Sequence, residues 1–206
     1  MILLCGKAAR ERLLYRLLAA ALGCALLCGC KGDAKTPQEA ADRFVQAVRD
    51  RNAKDLFAVL DLQTRWSLMS IRRAHREAYD IVLSNFPEGP ARAQQLRRFE
   101  NGALAQDEAT LFVPFMTPAR WEALAAALPA SAGLTKPTLQ DGGSSASFAV
   151  AGKAPLVFRR GEDGSWGYAG YAAELEAQTR KATNDLEVIR TSAADYERAA
   201  TRSGRK

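Results

Sequence analysis

LVFRRGEDGSWGYAGY, residues 156–171, decides how the rest of the chain is read. Leu156 and Phe158 alternate with Val157 and Arg159, and Trp166, Tyr168 and Gly170 alternate again after Gly161-Glu162-Asp163-Gly164. Two runs of period two joined by a Gly-bounded acidic turn predict a β-hairpin. Upstream, Ala146, Phe148 and Val150 keep the same alternation, and Gly152-Lys153 turns the chain into Leu156. Residues 135–140 precede Asp141-Gly142-Gly143, a further turn signal. The whole reads as an antiparallel meander of three or four strands.

Before the meander the apolar period is that of helices. Thr36-Pro37-Gln38-Glu39 holds a capping residue, a first-turn proline and a capping-box glutamate, and Ala41, Phe44, Val45 and Val48 follow as one stripe. Asn52 and Asp55 start a shorter helix with Leu56, Phe57 and Leu60. A longer helix is predicted from about Leu62 to Phe86, with Leu68, Ile71, His75, Ala78, Val82 and Phe86 along one face and Pro87, Gly89 and Pro90 ending it. The polar stretch holding Arg92, Arg97 and Arg98 is compatible with a helix, and residues 104–116 fit either a helix or a strand over Thr110–Val113. Thr117-Pro118 opens another helix, with Trp121, Leu124 and Leu128 inward and Pro129 stopping it.

After Tyr171 the chain is helical again to about Arg202. Leu175, Thr179, Ala182, Leu186, Ile189, Ala193, Tyr196 and Ala200 step by four and three, a heptad seam with small residues in several places. Small residues permit close approach, either to the domain's own helices or to a partner. The fold class read from these patterns is α+β: N-terminal helices on a curved three- to four-stranded antiparallel sheet, followed by a long C-terminal helix. The domain is expected over 36–171, with 172–206 as a separate helix and basic tail.

Residues 1–16 are basic through Lys7, Arg10, Arg12 and Arg16, and Leu17–Cys28 are uncharged and mainly apolar. That is the layout of a secretory signal, residues 1–29. As a helix, twelve residues reach about 18 Å, short of the roughly 30 Å hydrocarbon layer, so a permanent span is not expected. The junction Leu27-Cys28-Gly29-Cys30 resembles the lipobox of bacterial lipoproteins. The resemblance implies lipid on Cys30, cleavage before it, acylation of the new amino terminus and anchoring in a membrane of the cell envelope. Cys24, after Ala21-Leu22-Gly23, is the weaker second site. Lys31 rather than Asp follows the cysteine, which by resemblance to enteric sorting points to the periplasmic face of the outer membrane. Residues 30–35 read as a short tether.

The helices followed by a meander resemble the nuclear-transport-factor-like, or cystatin-like, superfamily, which includes ketosteroid isomerase. The opening TPQEAADRFVQAVRDRNAKDL is similar to that of bacterial lipoproteins in this group. The resemblance covers residues 36–171 and implies a cone-shaped domain with an apolar pocket. Its isomerases use a pocket Asp base with a Tyr or acid partner; Asp61, Tyr79 and Asp107 are available in type, but none sits in a recognisable motif. The superfamily hosts enzymes, binders and scaffolds alike, so it implies little about chemistry.

Of the 29 Lys and Arg and 23 Asp and Glu in the chain, four and one precede Cys30, leaving 25 against 22. That balance argues against a nucleic-acid partner. All four cysteines, Cys5, Cys24, Cys28 and Cys30, lie at or before the proposed cleavage site, so disulfide, CxxC and thiolate-metal chemistry is not expected in the mature chain. No metal or cofactor is expected. His75, the single histidine, is the candidate general base of an enzyme reading, though no acid near it in sequence is placed to orient it. With Tyr79, Trp66 and Trp121 it forms the candidate pocket set. Arg72, Arg73, Arg76, Arg97 and Arg98 read chiefly as a solvated face, interleaved with Glu77 and Asp80. The expected function is a non-enzymatic binding module for an envelope protein or a small apolar ligand; the alternative is a pocket isomerase or hydrolase using His75.

Overall fold

In the computed structural model the described residues are 33–129, 134 and 136–203. The expected signal peptide, the lipobox-like junction ending at Cys30 and the last three residues lie outside them. Residues 34–206 make one compact unit.

Among the described residues six helices come first: α1 (Pro37–Arg49), α2 (Ala53–Ala58), α3 (Leu62–Asn85), α4 (Pro90–Ala103), α5 (Glu108–Phe115) and α6 (Pro118–Ala127). A four-stranded antiparallel meander follows, β1 (Thr138–Gln140), β2 (Ser145–Phe148), β3 (Leu156–Arg160) and β4 (Trp166–Tyr168), and then α7 (Ala172–Ser203). The α+β class is therefore the observed one. The two undecided stretches are both helical: Arg92–Arg98 lies in α4, and residues 108–115 form α5 because Asp107 caps it by accepting from the Thr110 N–H at 2.7 Å.

Local chemistry explains the starts. The Thr36 hydroxyl accepts from the Glu39 N–H at 3.1 Å, while the Glu39 carboxylate reaches back to the Lys35 N–H at 2.9 Å. That bond holds the Glu39 carboxyl below the usual carboxylate range. Asn52, Asp61 and Thr117 cap α2, α3 and α6 in the same manner.

The core has two connected parts. In the first, α1 lies on β3 and β4, and Phe44 meets Tyr168 at 4.2 Å and Phe158 at 5.8 Å between ring centres. Phe148 continues the cluster edge-on to Phe158 at 5.3 Å. Each such pair contributes about 0.5–1.5 kcal/mol beyond its buried area. In the second, α3 is flanked by α4 and α7. Its contacts with α4 run antiparallel, from Arg92–Leu83 through Phe99–His75 to Ala105–Arg72. With α7 they run parallel in constant register: Thr179 donates to the Ser67 carbonyl, Arg190 pairs with Glu77, and Asn85 donates to Glu197. The seam residues Leu175, Ala182, Leu186, Ile189 and Ala193 are buried, so α7 docks on the unit's own helices. Tyr196 closes the seam edge-on to Phe86, and Ala200 is exposed.

The free edge of β4 is covered by chain from elsewhere. Tyr168 donates to the Val59 carbonyl at 2.7 Å and accepts from the Asp61 N–H at 3.0 Å, while the Trp166 N–H donates to Ala34 at 2.9 Å. Covering an edge strand in this way removes a template for unwanted pairing. Ala34, within the expected tether of residues 30–35, is buried where it meets Trp166.

Candidate functional site

The four residues of the expected pocket are dispersed. Trp121 is buried in the core on α6, and Tyr79 packs half-buried on α3. Trp66 is 51% exposed. It lines a groove of about 370 Å³ with Asp61, Gln63, Arg159 and Glu162. His75 does not line that groove.

His75 lies between α3 and α4. Its ring meets the edge of Phe99 at 5.6 Å, and Gly102 faces it so closely that a Cβ there would stand 2.2 Å from Nδ1. Nδ1 is buried without a hydrogen-bond partner. Burial pushes the imidazole below its ordinary value; Asp185 of α7 opposes that shift, while Lys181 and Arg98 reinforce it. Asp185 is itself engaged by Arg98 at 2.6 Å and Lys181 at 3.0 Å. Tertiary structure thus brings an acid towards His75 from 110 residues away, where sequence had found none. The acid is tied up by two cations, and Nδ1 faces packed helix rather than an open groove.

The pH consequence has a definite sign. A base whose folded pKa is depressed is protonated more readily in the unfolded chain, so stability is lost as pH falls below the ordinary histidine value of 6.5. The slope cannot exceed about 1.4 kcal/mol per pH unit for one proton. Because His75 is the only histidine, thermal denaturation between pH 7 and 5 is expected to show a decline that His75→Gln flattens. An equal decline in both proteins would place its origin elsewhere.

The arginine set is divided as well. Arg72 bonds Glu108 at 2.9 Å and the Ala105 carbonyl at 3.3 Å, joining α3 to α5, and Arg98 is held by Asp185. Arg73 and Arg76 face an open groove together with Glu77 and Asp80, which leaves it mixed in charge. Arg120, which sequence analysis passed over, makes a two-pronged bond to Glu174 at 2.8 and 2.5 Å and covers the Phe115 ring at 3.8 Å. It ties α5, α6 and α7 together.

No protein-family model, curated protein or solved structure matches this chain.

Among the described residues no three His, Cys, Asp or Glu side chains are grouped to hold a metal ion, and no helix is long and apolar enough to cross a membrane. Asp61 and Asp107 serve as helix caps.

Proposed function

We propose that this chain is a lipid-anchored protein of the bacterial cell envelope, tethered through Cys30, whose folded unit binds an envelope protein or a small apolar ligand and is not an enzyme. The observation carrying the reading is the junction Leu27-Cys28-Gly29-Cys30 after a basic segment and a short apolar run. The position of Ala34, buried and hydrogen-bonded four residues later, agrees with a chain that folds directly after its anchor.

Cys30→Ala is expected to abolish incorporation of a fatty-acid analogue and to leave the uncleaved precursor in a bacterial host. Unchanged labelling would overturn the assignment. Labelling lost only in Cys24→Ala would move the anchor to that residue.

The second reading, a pocket enzyme using His75, is favoured by one observation: the imidazole is partly buried, shifted and close to Asp185. It requires that His75→Gln removes a turnover which the folded wild-type chain performs.

A further inference from the structure

We propose that the β3–β4 hairpin and the first turns of α3 dock on the bilayer that holds the Cys30 lipid, with the Trp66 indole entering the boundary between headgroups and acyl chains. This rests on the lipid-anchored reading above, and three observations carry it.

The first is the length of the tether. Three residues lie between Cys30 and Ala34, and the four residue-to-residue steps reach at most about 14 Å when extended. The Ala34 carbonyl is fixed to the Trp166 N–H, so an acylated Cys30 confines this end of β4 to the membrane surface. The same end holds the Gly161–Gly164 turn, where Lys35 and Arg65 both act on Asp163.

The second is what that end exposes. Trp121 and Trp166 are each 8% exposed, whereas Trp66 is 51% exposed and Met69, one turn further on, is 49% exposed. An indole with an apolar body and a polar N–H suits the headgroup level of a bilayer better than either water or hydrocarbon.

The third is charge. Arg159 and Arg160 line the groove beside Trp66. Of the acids there, Asp61 is buried and caps α3, and Asp163 accepts from the Ser165 N–H and hydroxyl; Glu162 remains exposed. Arg159 donates to Gln63 at 3.1 Å and stands 3.8 Å from Asp61, so Arg160, with Glu162 beside it, is the groove's guanidinium for a lipid phosphate. A lipid occupant is favoured over a protein because the tether places bilayer within reach of this face whatever else is bound.

The test uses the acylated full chain in vesicles of phosphatidylcholine and phosphatidylglycerol. The difference in emission between wild type and Trp66→Phe isolates Trp66. That signal is expected to be shifted to the blue, largely lost when doxyl-labelled lipid is included, and several-fold less sensitive to acrylamide than the same signal in detergent-free unfolded chain. In the wild type, a photoactivatable lipid should label the tryptic peptide Trp66–Arg72. Acylated protein whose Trp66 stays open to acrylamide and unlabelled overturns the docking while leaving the anchor intact. Protection found in native membranes but not in vesicles overturns it in favour of a protein occupant. Absence of acyl on Cys30 defeats the anchor reading itself.

Discussion

Gly167→Ala is expected to destabilise the fold by about 3 kcal/mol or more, the upper end for forcing extra atoms into a packed site. A Cβ at residue 167 would stand 2.5 Å from the Asp61 nitrogen and the Leu60 oxygen. Those are backbone atoms, fixed by the bonds of Val59 and Asp61 to Tyr168, so no side-chain rotation relieves the clash. The segment must leave the edge of β4. The cap of α3 at Asp61 and the placement of Trp66 would move with it. Gly142→Asn is the control: it sits at φ +66 with nothing within 4 Å, and Asn tolerates that region, so a loss under about 1 kcal/mol is expected. Urea denaturation of the two variants measures the contrast. Equal stabilities within 1 kcal/mol would refute the close approach at Gly167.

The second large effect concerns α7. A chain ending at Tyr171 is expected to lose its cooperative thermal transition, because α7 covers α3 along its length and contributes Leu175, Leu186 and Ile189 to the core. Within the full chain, Leu186→Asp should cost at least the 2–5 kcal/mol typical of Leu→Ala in cores, since the carboxylate adds a desolvation penalty. The exposed pairs Arg190–Glu77 and Asn85–Glu197 cannot compensate, being worth roughly 0–1 kcal/mol each. Sequence pattern alone places a boundary at Tyr171 and expects 36–171 to stay folded. A truncated chain that melts cooperatively, with protease sensitivity confined to residues after Tyr171 in the Leu186→Asp variant, would restore that boundary.

Most of the element order was legible in the sequence, because the signals are local. Thr36, Asn52 and Thr117 each cap a helix within their own first turn, and the meander is written in the alternation from Ala146 to Tyr168; the caps at Asp61 and Asp107 were not read, and residues 104–116 stayed open between helix and strand. The seam of α7 was equally plain, since steps of four and three residues follow from helix geometry. What the seam meets was not plain. Its parallel register on α3 joins residues about 112 positions apart, and a stripe specifies only that something apolar covers it. The same limit applies to single residues. Nothing near His75 in sequence predicts Asp185 or the close face of Gly102, and nothing in Trp-Gly-Tyr announces that Gly167 must admit the backbone of Leu60 and Asp61. Trp66 is apolar by type yet half exposed, in a groove shared with Arg159 and Glu162 of a distant hairpin that residue type alone does not announce. Periodicity records which side of an element is apolar. The identity of the neighbour, and hence burial, charge environment and close approach, arises only when distant segments pack against one another.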